Sequence, residues 1–446
     1  MAARLSRRVR SVRRDRGCVR DLVQKEKVDV IRKETHNRRS RSMLGVWMWP
    51  ESVRRRGAES VFALCRRAGV TDVYFLTKGL AGTAAFLTPL TPPVDPERDL
   101  LREALDAAHG RGIRLHAWFT SASDRRFREE HPASALTHYS KGPHNDVVSI
   151  ADPDYLGYMR SVLSDLTARY EVDGVHLDYI RYNHLIYGWS ESDRTRMTSR
   201  GVDLGHVGKL MEDTFYSDDP AKKDAIFQAF RDGDEDVLRL AESRRADVLS
   251  FARALAETVR SSDKGISLSA ALMPEGAFDE LAFSDLHYGQ HYADLAPLMD
   301  CLLPMAYSRA YGKGGAWVRE AAVGTAKHGV PVLVGVHAYE GATGLTLRED
   351  TASCEGIPGV EGVCLFREGA SVWTFLRGRS LCVFNPLSTP VTALRITAGE
   401  ETVRIPCRIE QDEEQEFSVP FRPDSVQAFA EAREVCAALF ADKDGD

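Results

Sequence analysis

The sequence predicts an α/β fold: a (β/α)8 TIM barrel followed by a small C-terminal all-β domain. Two observations predict the barrel, since eight short apolar strands recur between residues 43 and 372 and amphipathic helices alternate with them. A third predicts the appendage: past Glu368 the chain continues as strand-like pieces joined by polar or Pro-containing turns, with no helices between them.

The first strand is MLGVWMWP, followed by the helix ESVFALCRRAGV, which Gly69 ends. TDVYFLTK is the second. After a Pro-rich loop comes the helix DLLREALDAAHGRG, where Leu101, Ala104, Leu105 and Ala108 recur at helical spacing. IRLHAWFT is the third strand, and the helix YLGYMRSVLSDLTARY leads into the fourth, within YEVDGVHLDYIRYN. A long segment, Asn183 to about Glu235, precedes the helix DVLRLAESRRADVLSFARALAETVR. ISLSAALMPE, DCLLPMAYS, VPVLVGVHAYE and EGVCLFRE complete the set, with the helix AWVREAAVGTAKHG between the sixth and seventh. Residues 373–432 read as the β domain. With no aromatic platform in it, covering the barrel's flank is its expected role, ahead of glycan binding. Residues 433–446 read as a tail with a short helix and an acidic end.

The 446 residues are 43% hydrophobic and 28% charged, as in an ordinary globular chain. The formal charge of −6 hides an asymmetry, because residues 1–42 hold 12 Arg and 3 Lys against 5 acids. This leader reads either as an arm for nucleic acid or anionic lipid, or as a disordered tail or a misplaced start. Its lack of aromatic residues and periodicity favours the second pair, so no nucleic-acid partner is expected. It has no apolar run of secretory type, and no integral membrane segment is visible. As written the chain reads as cytoplasmic, or as exported if the start is misassigned. Eight cysteines at irregular spacings, with no CxxC pair, read as buried free thiols rather than a zinc site. Oligomeric state is left open.

Strand parity then locates a site. In the fourth strand Val175, Leu177 and Tyr179 face the helices, which turns Gly174, His176 and Asp178 into the barrel. Asp178 stands at the strand's C-terminal end, the face that carries chemistry in barrel enzymes, while Asp173 opens the opposite end and reads as a structural anchor. The same rule turns His116, Trp118, His337 and Tyr339 inward. It adds Trp47 and Trp49 from strand one, Lys78 at the end of strand two and Tyr307 closing strand six. Glu275 follows strand five and Glu368 ends strand eight.

Aromatic faces beside carboxylates are what a sugar-cleaving cleft requires. Rings stack on pyranose faces, one acid protonates the glycosidic oxygen, and another carboxylate attacks C1 or activates water. Asp178 is the expected nucleophile or base, with Glu275 or Glu368 as the acid. Trp47, Lys78, His116, Trp118, His176, Arg181, Tyr307, His337 and Tyr339 are the expected substrate contacts, and His176 the residue that orients Asp178. Each has a plainer reading: Asp178 paired with Arg181, Glu368 with Lys78 or Arg367, Glu275 a solvated loop acid, and the tryptophans and His116 core fillers. No HxH pair occurs, so neither metal nor cofactor is expected. The long segment, with LIYGW and DTFYSDD, should wall the cleft, and its deletion should alter binding before fold.

The segments LREALDAAHGRGIRLHAWF, YEVDGVHLDYIRY, GQHYADLAPLMDCLLPMAYS and GVEGVCLFREG, in this order, resemble the glycosyl hydrolase-like 10 family over about residues 43–370. This family of barrel proteins includes bacterial enzymes acting on peptidoglycan glycan strands. The resemblance implies a catalytic carboxylate at Asp178, matches His116 and Trp118 to a HAW strand and Arg367 with Glu368 to an FRE strand, and places Lys78 at a lysine after strand two. Tyr179 stands where many relatives carry a second acid. The implied function is hydrolysis of a polysaccharide, peptidoglycan glycan or another amino-sugar polymer. The alternative is a catalytically silent glycan-binding barrel.

Overall fold

The computed structural model describes residues 42–278, 281–431 and 433–443. The Arg-rich leader therefore lies outside the described residues, apart from Ser42. Eight parallel strands close a barrel: β1 (Met43–Met48), β2 (Asp72–Lys78), β3 (Arg114–Thr120), β4 (Gly174–Asp178), β5 (Ser267–Leu272), β6 (Cys301–Pro304), β7 (Val332–His337) and β8 (Val360–Phe366).

Both faces of each strand are covered, and the two parities hold different residues. Val73, Phe75, Leu115, Ala117, Val175, Leu177, Val334 and Val336 pack outward on the helices. Trp47, Tyr74, Trp118, Leu303, Leu333 and Cys364 fill the interior. Such large rings fit because small residues face them. A Cβ on Gly174 would lie 2.1 Å from His116 Nδ1, and one on Gly335 2.9 Å from the Trp47 ring.

The surrounding helices start where the sequence provides caps. Asp99 accepts the Arg102 amide at 3.0 Å to open Leu100–His109, and Asp152 accepts the Tyr155 amide at 2.8 Å to open Pro153–Arg169. Each cap is worth about 1 kcal/mol. Gly69, at φ +77°, ends Ala58–Ala68 in the left-handed conformation that a Cβ disfavours.

The long segment after β4 is a helical insertion with its own core. It contains Glu191–Ser199, Leu204–Tyr216 and Ala225–Arg231, and runs into the helix Glu235–Arg260. Leu185, Trp189, Met197, Val207, Met211 and Ile226 pack against Val237, Leu240, Ala241 and Leu286. Arg244 is buried at the seam, stacked 3.8 Å from the Tyr182 ring centroid and donating to the carbonyls of His184, Tyr187 and His287.

Among the described residues no helix follows β8. The chain forms two four-stranded sheets, one of β9 (Val372–Arg377), β10 (Ser380–Asn385), β13 (Glu413–Ser418) and β16 (Ala437–Ala441). The other holds β11 (Val391–Ala398), β12 (Glu401–Ile409), β14 (Ser425–Ala430) and β15 (Arg433–Val435). The terminal segment read as a tail with a short helix is thus two strands. The alternation of buried and open positions is short, and Ala437–Ala441 gains order by pairing in parallel with β9. Trp373, Phe375, Phe384 and Ala438 join the barrel's own outer core, and Arg67 stacks 4.3 Å from the Phe375 centroid. This sandwich covers the flank between Ala58–Ala68 and the helix Gly344–Ser353.

Candidate active site

Register brings the fourth strand's last residue to the mouth. Thr120 of β3 pairs with Asp178, and Trp118 with His176 one layer deeper. Asp178 is 5% exposed; its Oδ2 accepts the Trp118 indole N–H at 3.2 Å and its Oδ1 the Tyr179 amide at 2.7 Å. Burial pushes this carboxyl up to about 6, against the opposing pull of Arg181 and the two N–H donors. Tyr179 takes φ +56°, a conformation that costs a non-glycine residue about 1 kcal/mol or more and sharply turns the chain after the carboxylate.

Glu275 sits in the short turn Pro274–Ala277 after β5. Its Oε1 accepts the hydroxyls of Tyr311 at 3.2 Å and Tyr288 at 3.4 Å, while Oε2 is buried with no partner among the described residues. Burial raises its pKa as well. Arg181 links the two acids electrostatically: its charge opposes both shifts, and its guanidinium carbon lies 4.6 Å from the Tyr179 centroid and 5.7 Å from that of Tyr288. No ion pair within 4 Å joins it to Asp178, so the reading of Asp178 as a salt-bridged structural acid does not describe the geometry.

The aromatic wall is assembled from β1, β6, β7 and β8. Tyr307 lies 5.2 Å from Phe366 and 6.0 Å from Tyr339, and His337 lies 3.8 Å from Tyr339, all between ring centroids. Trp47 forms the floor. It is 1% exposed and its indole N–H donates to His176 Nε2 at 3.1 Å. Because Nε2 accepts, the His176 proton sits on Nδ1 and donates to Ser269 Oγ at 2.9 Å. His176 therefore supports Trp47, and the expected hydrogen bond to Asp178 is replaced by that of Trp118.

Three expected site residues lie elsewhere. Lys78 pairs with Phe119 because the register shifts between Leu76 and Lys78, and this bulge turns its side chain outward. There it is fully buried, with Nζ 2.8 Å from Asp124 Oδ2. His116 is at the opposite end of the barrel, donating from Nε2 to Asp72 Oδ1 at 2.8 Å, beside Arg114 on the same oxygen at 2.7 Å. Glu368 is buried but turned out of the barrel, accepting Ser52 Oγ and Arg56 Nη2 from the helix Pro50–Arg56. Asp173 anchors the quiet end, its Oδ2 meeting the Leu115 amide at 2.8 Å and His109 Nε2 at 2.9 Å.

The residues missed by sequence reasoning are Tyr288 and Tyr311, which hold Glu275, whereas Trp49 and Arg367, both named from the sequence, form a rim pair stacked at 3.5 Å. Trp49 and Arg367 follow β1 and β8 directly, whereas Tyr288 ends a π-helical turn and Tyr311 lies in an irregular loop, positions without such a signal. Among the described residues no cluster of three His, Cys, Asp or Glu is placed to hold a metal ion, and no helix is long and apolar enough to cross a membrane.

Known structures share the fold. The PgaB (BpsB) glycoside hydrolase domain from Bordetella bronchiseptica superposes with a TM-score of 0.58 at 13% identity, over 73% of this chain and 94% of that one. A beta-galactosidase from the psychrophilic Marinomonas ef1 gives 0.53 at 14%, over 73% and 54%. At such identities the likeness is one of fold. Among curated proteins, glycosyl hydrolase DigH of Escherichia coli K12 is 28% identical over 138 residues, 25% of this chain and 31% of DigH, so the match spans about a third of that relative's length. The sequence pattern of the Glycosyl hydrolase-like 10 family matches residues 87–345, more than half of the chain, and the chain belongs to that family.

Proposed function

We propose that the protein hydrolyses a glycosidic bond of a polysaccharide, with Asp178 as the ionised nucleophile or base and Glu275 as the proton donor. One observation carries the reading: the buried carboxyl of Asp178 and the half-buried one of Glu275, both with raised pKa, share a mouth with Arg181 and an aromatic wall. Their partners divide the roles. Asp178 meets N–H donors on both oxygens, and an N–H can only donate, so its neighbours favour the anion. Glu275 Oε2 has no donor, and its Oε1 meets hydroxyls that can also accept, so a proton on Oε2 disturbs nothing. In the reaction Glu275 passes that proton to the departing glycosidic oxygen while Asp178 attacks C1 or deprotonates water. Glu368, bonded to Arg56 and Ser52, has no part in it.

The substrate class that fits is a bacterial glycan such as denuded peptidoglycan or another amino-sugar polymer, in keeping with the family. Release of reducing ends from a glycan panel, wild type against Asp178→Asn, tests the reading. A protein that binds a glycan yet releases no more ends than the variant is a glycan-binding barrel and not a hydrolase.

A further inference from the structure

The mouth holds a second cation that the proposed chemistry does not use. Arg367 follows β8, opposite β4 in the eight-stranded ring, and lies flat on Trp49, its guanidinium carbon 3.5 Å from the ring centroid. Trp49 is 38% exposed and Arg367 is half-buried, so the pair forms part of the open rim. A guanidinium carries five N–H donors. Only one of Arg367's has a partner among the described residues, a long 3.4 Å contact from Nη1 to the Glu368 carbonyl.

Among the described residues no carboxylate lies within ion-pair distance of it. The adjacent Glu368 is engaged by Arg56 and Ser52 on the barrel's outer side. Among the same residues Arg181 forms no ion pair within that distance either, but its charge acts on both Asp178 and Glu275. Desolvation outweighs the pull of the Glu368 charge and depresses the Arg367 pKa, whereas that of Arg114, paired with Asp72, is raised. The Trp49 face fixes the plane of the fork, so little rotamer entropy remains to be lost when a planar anion meets its edge. A bidentate guanidinium–carboxylate contact has that geometry.

We infer that Arg367, held on Trp49, is an anion-binding specificity residue that takes a carboxylate carried by a sugar of the bound glycan. The inference rests on the glycan reading above and adds the acidic substituent to it. The carboxylate has two sources in glycans, a uronic acid, where it is attached to the ring, and an acid-bearing ether such as the lactyl group of denuded peptidoglycan strands.

Binding calorimetry on the full chain with Asp178→Asn, which separates affinity from hydrolysis, tests it. The probes are polygalacturonate, hyaluronan and denuded peptidoglycan strands, each beside its carboxyl-reduced form. At least one acidic polymer should bind about tenfold or more tighter than its reduced counterpart, the difference expected of one charge-assisted contact. Which one does so distinguishes the two sources. Adding Arg367→Gln should abolish that preference, and Arg367→Lys, which keeps charge but loses the fork, should retain only part of it. Equal binding of acidic and reduced forms overturns the inference and leaves the glycan reading standing, as does a preference that survives Arg367→Gln. Failure to bind or cleave any glycan overturns both. Thermal melting of each variant guards against a folding defect, and Arg367→Lys supplies the second arm should Arg367→Gln not fold.

Discussion

The indole N–H of Trp118 donates to Asp178 Oδ2 across 3.2 Å, from the neighbouring strand and one layer deeper in the barrel. This bond is one of the few interactions offsetting the desolvation that lifts the carboxyl to about 6. Trp118→Phe keeps the ring and removes the donor. A hydrogen bond to a charged group is worth about 1.5–3 kcal/mol, so the variant should move the acid limb of the pH–rate profile upward by roughly one pH unit or more. An unmoved limb would mean that Asp178 does not set it.

Asp178 should also leave a mark on stability. Its folded pKa is raised from 3.8 to about 6, so its favourable contribution is full below about pH 4 and is lost as pH rises through 6. The loss amounts to about 3 kcal/mol at neutral pH, at 1.36 kcal/mol per unit. Asp178→Asn removes this dependence. Its melting temperature relative to wild type should rise between pH 4 and pH 7.5, while turnover falls about 100- to 10,000-fold. Parallel melting curves across that range would contradict the assignment.

Glu275→Gln separates the two acids. A proton donor matters in proportion to the basicity of the leaving group, so the variant should lose about 100-fold or more on polysaccharide and much less on aryl glycosides with acidic phenols. Equal losses on both substrates would move Glu275 from donor to nucleophile or base.

Lys78→Met tests a residue that sequence and structure place differently. The Lys78–Asp124 pair is wholly buried, and removing one partner strands a charge, at a cost of about 3–5 kcal/mol. Urea denaturation should show that loss, with glycan affinity unchanged in the protein that remains folded; a selective loss of affinity would return Lys78 to the site.

These contrasts show how far strand parity reaches. Val175 and Leu177 against His176 and Asp178 is a pattern of period two, and a barrel closed on both faces leaves it one solution. Lys78 escaped because a bulge shifts the register by one residue, which no composition signal marks. Glu368 lies beyond the end of β8, where alternation no longer governs direction and the cations of Pro50–Arg56 decide it. Tyr288 and Tyr311 reach Glu275 from a π-helical turn and an irregular loop, positions set by tertiary packing. In the insertion the aromatics of LIYGW were legible as residues but not as core: Trp189 is buried with its indole N–H on the Leu185 carbonyl at 2.7 Å.

That insertion supplies the last prediction, which reverses the expectation drawn from sequence. Removing residues 190–231 would uncover Val237, Leu240, Ala241 and Leu286, all now buried against it. Each large aliphatic side chain returned to water forfeits about 1.5–3 kcal/mol. The deletion also strips Asp247 of Arg196 and Arg200, at 3.0 and 2.9 Å, leaving the Tyr182 hydroxyl at 2.7 Å as its remaining hydrogen-bond partner. Tyr182 in turn donates its amide to the Tyr288 carbonyl at 3.0 Å, and Tyr288 holds Glu275. Loss of the insertion should therefore lower the melting temperature and loosen the acid's support together. A deletion that melts as the full chain does while losing only substrate preference would restore the view of this segment as a cleft wall alone.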